Sequence, residues 1–181
     1  VEAVTSRPDG LLEVRAGENA WVTRTLINAT GTWDKPWWPS YPGRASFRGR
    51  QLHTHDFVDA AQFAGQSVVV VGGGLSAVQF LLQLAAAGAR TTWVTRRPPD
   101  WTDRPFDPAW GRAVEESVRD RTRQGLPPLS VVAATGIPLI PEYRAGQEAG
   151  VLVSAGPMTA LTPHGVVLAT GRTVDADAIL W

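Results

Sequence analysis

Val68-Val69-Val70-Val71-Gly72-Gly73-Gly74-Leu75-Ser76-Ala77 is the stretch that decides the fold of this chain. Four β-branched residues run into a glycine cluster, and an apolar helical pattern leaves it. A strand of a parallel sheet is covered on both faces, so it reads as a short unbroken hydrophobic run of this kind. The glycines fit G-x-G-x-x-A, the fingerprint of a βαβ dinucleotide site. Gly72 permits the tight turn, Gly74 lets backbone approach a pyrophosphate, and Ala77 lets helix and strand pack closely. The phosphates then rest against Gly73, Leu75 and Ser76 at a helix N-terminus, where unpaired N–H groups and the positive end of the macrodipole favour anions.

The flanking sequence supplies the rest of the unit. Leu75, Val78, Leu81, Leu82, Leu84 and Ala85 recur at helical spacing, and Gly88 supplies a stop. Thr91-Thr92-Trp93-Val94-Thr95 follows as a second parallel strand. A side chain about 20 residues beyond the glycines reads the adenosine ribose: an acid binds a free 2′-hydroxyl, and an arginine accommodates a 2′-phosphate. Here the strand ends Thr95-Arg96-Arg97, with no acid before Asp100. Guanidinium groups present planar, bidentate, permanently charged donors, so the sequence favours NADPH over NADH.

Composition narrows the class. The 181 residues carry a formal net charge of zero with acids and bases interleaved, which favours neither nucleic acid nor an anionic membrane surface. The longest apolar segment, residues 75–89, contains Gln79 and Gln83 and reads as a core helix rather than a membrane span. The absence of cysteine removes disulfides, thiolate zinc sites and C-x-x-C redox chemistry, and fits a cytoplasmic protein. His53, His55 and His164 are too scattered for a metal site, although His53 and His55 alternate on a strand-like stretch. Most of the eight tryptophans read as packing or lid residues.

Elsewhere the pattern is β-rich. Residues 1–5, 11–15 and 21–28 read as strands, turned at Pro8-Asp9-Gly10 and Gly17-Glu18-Asn19, with the third leading into Ala29-Thr30-Gly31. Residues 33–46 are loop, a helix is expected from Pro108 to Gln124, and the proline-punctuated stretch 126–147 has no clear element. Short strands resume at 151–154, 158–161, 166–169 and 178–181.

At this point the residues resemble a known family. Phe47-Arg48-Gly49-Arg50-Gln51-Leu52-His53-Thr54-His55-Asp56-Phe57 matches F-x-G-x-x-x-H-x-x-x-[YF], the identifying motif of flavin-containing monooxygenases. It lies between Ala29-Thr30-Gly31 and the glycine loop, as in that family, and residues 174–181 look like the strand that leads into the family's second A-T-G element. Phe57 stands where the related Baeyer–Villiger enzymes carry Trp. The resemblance is nearest to a bacterial group of flavoprotein monooxygenases described as cation-transport- or arsenic-associated.

The resemblance implies an α/β enzyme with a Rossmann-type NADPH domain, 67–165, flanked by β-pieces of a truncated FAD-binding domain. Residues 1–32 would be a β-meander and strand of that domain, 33–66 a linker with the family motif, and 166–181 its return strands. Hydride would pass from NADPH to FAD, and O2 would add as a flavin hydroperoxide that oxygenates a small nitrogen or sulfur nucleophile or a carbonyl. The substrate is a small molecule, no integral membrane segment is expected, and a homodimer is compatible with the reading. Thr30 and Gly31 would come near FAD in the complete protein, while His53 would act through conformation and hydrogen bonding. The family's first glycine motif would precede Val1, so this chain alone is expected to hold FAD hardly at all and to be inactive. No catalytic residue can be named, and no metal site is expected. An NADPH oxidoreductase without oxygenation, or a nucleotide-sensing Rossmann module, are the alternatives.

Overall fold

The computed structural model describes residues 1–31, 33–105, 107–127 and 129–181. It divides into two compact units, Val1–Lys35 and Pro36–Trp181. The expected boundary at Thr32 lies outside the described residues.

The first unit is an antiparallel meander of β1 (Ala3–Ser6), β2 (Leu12–Ala16) and β3 (Asn19–Thr23). Val4, Val14 and Trp21 lie in one cross-strand row, and Val14 is the buried member. The third strand is shorter than the sequence suggests, ending at Thr23 rather than 28. The Thr23 hydroxyl donates to the Thr25 carbonyl (2.9 Å) and accepts from the Thr25 N–H (3.3 Å). These local side-chain bonds compete with the ladder and turn the backbone away from it.

The second unit is built on a four-stranded parallel sheet in the order β4 (Arg50–Leu52), β12 (Ala178–Leu180), β5 (Ser67–Val71), β6 (Arg90–Val94). The helix α1 (Leu75–Ala86) joins β5 to β6 and stops before Gly88, whose φ of 83° suits the left-handed turn. Alternation along β5 sets two cores. Val68 and Val70 pack with Leu52, Trp93, Ala178 and Leu180 against Val78, Leu81 and Leu84 of α1. Val69 packs the other way with Val94, Ile179 and Trp181 against a second meander. That meander comprises β9 (Met158–Thr162), β10 (Gly165–Leu168) and β11 (Thr173–Asp175), in the order β11-β10-β9. The strand is therefore covered on both faces, as its unbroken valines require. Each buried valine contributes roughly 1.5–3 kcal/mol.

Between β6 and β9 lie β7 (Trp101–Thr102), α2 (Pro108–Arg123), α3 (Val131–Thr135), β8 (Ile137–Pro138) and α4 (Pro141–Glu148). The expected helix from Pro108 is α2, with Asp107 capping it by accepting from the Trp110 N–H at 2.9 Å. The stretch without a clear sequence pattern holds α3, β8 and α4. Gly146 of α4 allows the close approach of Leu82 from α1 and of Leu152. Residues 151–154 do not form the expected strand. Val151 and Leu152 both donate N–H to the Gly146 carbonyl, at 2.9 and 3.0 Å, and only Ser154 bridges to Trp93.

Segments 33–66, 67–165 and 166–181 all contribute to this unit, because β4, β5–β6 and β12 share one sheet. Asp177 joins the starts of three strands. Its carboxylate accepts from the Ser67 N–H (2.8 Å), its N–H donates to the Ser67 carbonyl (2.8 Å), and its carbonyl accepts from the Arg50 N–H (2.9 Å). Asp177→Ala removes only the carboxylate bond. The expected loss is about 1 kcal/mol, because the site is solvent-exposed. Chemical denaturation of wild type and variant measures it.

Candidate functional site

The C-terminal ends of β5 and β6 form one edge, since Val71 and Val94 are paired in register. The chain leaves β5 at Gly72 with φ 145°, a value that suits glycine. The Gly72 N–H donates to the Val94 carbonyl at 3.0 Å, and the Gly72 carbonyl accepts from the Trp93 indole Nε1 at 2.6 Å. A Cβ on Gly72 would touch the Cβ of Ala77 at 3.8 Å, so the turn and the helix face are in van der Waals contact. Strand, glycine elbow and helix thus adopt the geometry that the fingerprint implies.

Gly74 is the N-cap of α1. No side chain caps the helix there, and its first turn carries no acid. The first-turn N–H groups, Leu75, Ser76 and Ala77 among them, therefore face outward without an intrahelical acceptor. A Cβ at Gly73 or Gly74 would meet nothing within 4 Å. Gly73 and Ser76 are exposed, Leu75 is half-buried and Ala77 is buried. This open shelf of N–H donors at the positive end of a helix fits a diphosphate.

One strand over, β6 ends at Val94 and is followed by Thr95, Arg96 and Arg97. Thr95 is buried, and its hydroxyl lies 2.7 Å from the Ser154 hydroxyl, which in turn accepts from the Gly156 N–H (3.0 Å). Its side chain thus holds loop 154–156 to the sheet. Arg96 and Arg97 are exposed, and among the described residues neither has a hydrogen-bond or ion-pair partner. Two uncommitted guanidiniums at the end of the strand beside the elbow fit a phosphate on an adenosine ribose.

The motif from Phe47 to Phe57 forms β4 and its flanks. Phe47 is buried in the meander-side core. A Cβ at Gly49 would collide with the Asp177 carbonyl oxygen and the Phe47 ring. The motif glycine therefore admits the β12 backbone. His53 and His55 do not alternate on a strand, because β4 ends at Leu52 and the chain turns through a 3-10 segment, Thr54–Asp56. The His53 N–H donates to the Asp56 carboxylate at 2.9 Å, and the His55 ring lies 3.3 Å from it. These contacts, the backbone bond foremost, hold the Asp56 carboxyl below the usual carboxylate range. Among the described residues the buried His53 Nδ1 has no hydrogen-bond partner, and the Trp38 ring lies 5.9 Å from the imidazole. Phe57 stacks on Phe63 at 5.9 Å and meets Phe80 of α1 at 4.5 Å, anchoring the motif to the helix that follows the elbow.

Thr30 and Gly31 lie in the first unit. The Thr30 hydroxyl and N–H both donate to the Asn28 side-chain oxygen, at 2.9 and 3.3 Å. Among the described residues no group of His, Asp and Glu is placed to hold a metal ion, and no helix is long and apolar enough to cross a membrane. Sequence reading missed the Trp93 bond to the elbow. The available signal was a tryptophan inside a buried strand, whose N–H needs an acceptor.

Comparison with known proteins adds a family. Residues 1–180 match the family described as pyridine nucleotide-disulphide oxidoreductase. A trimethylamine monooxygenase of Pelagibacter ubique is 42% identical over 72 residues, covering 40% of this chain and 16% of the relative. An indole-3-pyruvate monooxygenase of Oryza sativa subsp. japonica is 36% identical over 96 residues, covering 52% of this chain and 24% of the relative. The solved flavin-containing monooxygenase from Stenotrophomonas maltophilia superposes over 100% of this chain and 48% of its own, with a TM-score of 0.76 and 31% identity. The chain thus spans about half the length of that structure, and its aligned stretches span less of the curated relatives.

Proposed function

Since the chain belongs to the pyridine nucleotide-disulphide oxidoreductase family, and is similar to a trimethylamine monooxygenase and a flavin-containing monooxygenase, we propose that it is the NADPH-binding portion of an FAD-dependent monooxygenase. The observation that carries this reading is the open N–H shelf at Gly73 and Gly74, flanked by the uncommitted Arg96 and Arg97. Gly72 to Ala77 would hold the diphosphate, and the two arginines the 2′-phosphate. Thr95 would act by fixing the strand end from which they project.

NADPH would supply a hydride to FAD, and the reduced flavin would activate O2 to oxygenate a small nitrogen, sulfur or carbonyl substrate. This chain's residues bind and orient the nucleotide. Residues 1–32, with Thr30 and Gly31, and the return strands in 166–181 belong in this reading to the FAD-binding domain. The enzyme would work in the cytoplasm, in keeping with its cysteine-free sequence. The family description also covers disulfide chemistry, but this chain contributes no cysteine to a dithiol. NADPH oxidation without oxygen transfer to a product would favour a plain oxidoreductase.

Gly74→Val tests the shelf. Gly74 has φ −101° and ψ 175°, which valine accepts, and a Cβ there meets no neighbour. The fold should survive, with a cost of about 1 kcal/mol or less at the N-cap. The branched side chain would stand where the diphosphate must approach. NADPH and NADH titrations by calorimetry should both weaken about tenfold or more, a loss of about 1.4 kcal/mol or more. Unchanged binding of both nucleotides would remove the site from the elbow.

A further inference from the structure

We infer that Trp93 is a positioning residue for the dinucleotide, its indole N–H fixing the Gly72–Gly73 peptide so that the Gly73 N–H faces the diphosphate. This rests on the reading of the elbow given above and assigns one side chain the task of orienting it.

Trp93 is the penultimate residue of β6, paired in register with Val70 and 1% exposed. Its side chain is on the α1 face of the sheet. From there Nε1 reaches past the end of β5 and donates to the Gly72 carbonyl at 2.6 Å. In a trans peptide the carbonyl and the following N–H point in opposite directions, and no peptide bond among the described residues is cis. A Gly72 carbonyl drawn inward by the indole therefore turns the Gly73 N–H outward, at an exposed residue just before the N-cap of α1.

Freed from the indole, that glycine peptide could rotate. Its carbonyl oxygen would then turn toward the anion, where a partial negative charge opposes binding. The Gly72 N–H is held separately by the Val94 carbonyl at 3.0 Å. The two bonds grip the elbow from consecutive residues of β6. The indole is itself held, with the Trp101 ring edge-on at 6.1 Å and Trp101 in turn meeting Tyr143 at 6.5 Å.

A tryptophan that only fills the core would behave differently, and the test separates the two roles. Trp93→Phe keeps an aromatic ring and deletes the donor. Nucleotide binding to the chain is titrated by calorimetry well below the melting temperature, with NADPH and with NADH. The diphosphate is common to both, so both dissociation constants should rise together, by about 3- to 10-fold. The NADPH/NADH ratio should stay at its wild-type value. A lower melting temperature with both constants unchanged would make Trp93 a core residue only and overturn the inference. If Trp93→Phe does not fold, β-(3-benzothienyl)alanine at position 93 keeps the bicyclic shape and removes only the N–H, and the same two outcomes apply. Wild-type chain that binds neither nucleotide would sink the underlying reading. Binding by wild type with no change in either variant sinks this inference alone.

Discussion

The double variant Arg96→Ser/Arg97→Ser should bind NADPH about 100-fold more weakly than wild type while its affinity for NADH stays within about twofold. Neither arginine has a hydrogen-bond or ion-pair partner among the described residues, so serine breaks nothing that the fold needs. Both residues lie just past β6, after Thr95, where the ribose of a nucleotide on the Gly72–Gly74 elbow would rest in the proposed reading. Charge-assisted hydrogen bonds are worth about 1.5–3 kcal/mol each, and exposure reduces that for the pair to about 2.7 kcal/mol in total. NADH has no 2′-phosphate and would not feel the loss. Raising the ionic strength should shrink the wild-type preference, because exposed charges are screened. Equal weakening of both nucleotides would show that the arginines supply only general positive charge.

The second large effect is on stability. Gly49→Ala should lower it by about 3 kcal/mol, or about 10 °C in melting temperature for a chain of this size. The added methyl would overlap the Asp177 carbonyl oxygen, and that atom cannot step aside. It accepts from the Arg50 N–H at 2.9 Å and belongs to the residue that joins β12 to β5. On the other side the methyl would strike the Phe47 ring, buried in the meander-side core. Gly73→Ala is the control, since a Cβ there meets nothing within 4 Å and the change should cost about 0.5 kcal/mol or less. If calorimetry showed Gly49→Ala as stable as that control, β12 would not approach β4 as closely as described.

The glycine elbow was legible because its two neighbours carry different periodicities. Unbroken valines mean a strand covered on both faces, and the 3.6-residue spacing from Leu75 means a helix. The place of Arg96 and Arg97 was legible because the strand pattern of Thr91 to Thr95 ends just before them. The central position of β12 was not legible, since local pattern cannot say where a short apolar run pairs. The motif glycine at 49 could be recognised from the resemblance, but its physical cause is the passing backbone of a residue more than a hundred positions away. The indole bond to Gly72 was hidden because strand parity gives the face of Trp93 and not the reach of its side chain. The overlong third strand and the strand expected at 151–154 failed for a shared reason. In each, neighbouring hydrogen bonds, at the Thr23 hydroxyl or to the carbonyl of Gly146, outcompeted the ladder.

Placing β12 between β4 and β5 has a consequence for how the protein is made. During synthesis β4 and β5 emerge well before the strand that must separate them, and Ser67 waits for a carboxylate 110 residues further along. Pairing of β4 with β5 in the interval would be a misfolded register that later has to open. Assembly on the ribosome should therefore begin with the local β5–α1–β6 unit, leaving β4 to dock once the late strand has arrived.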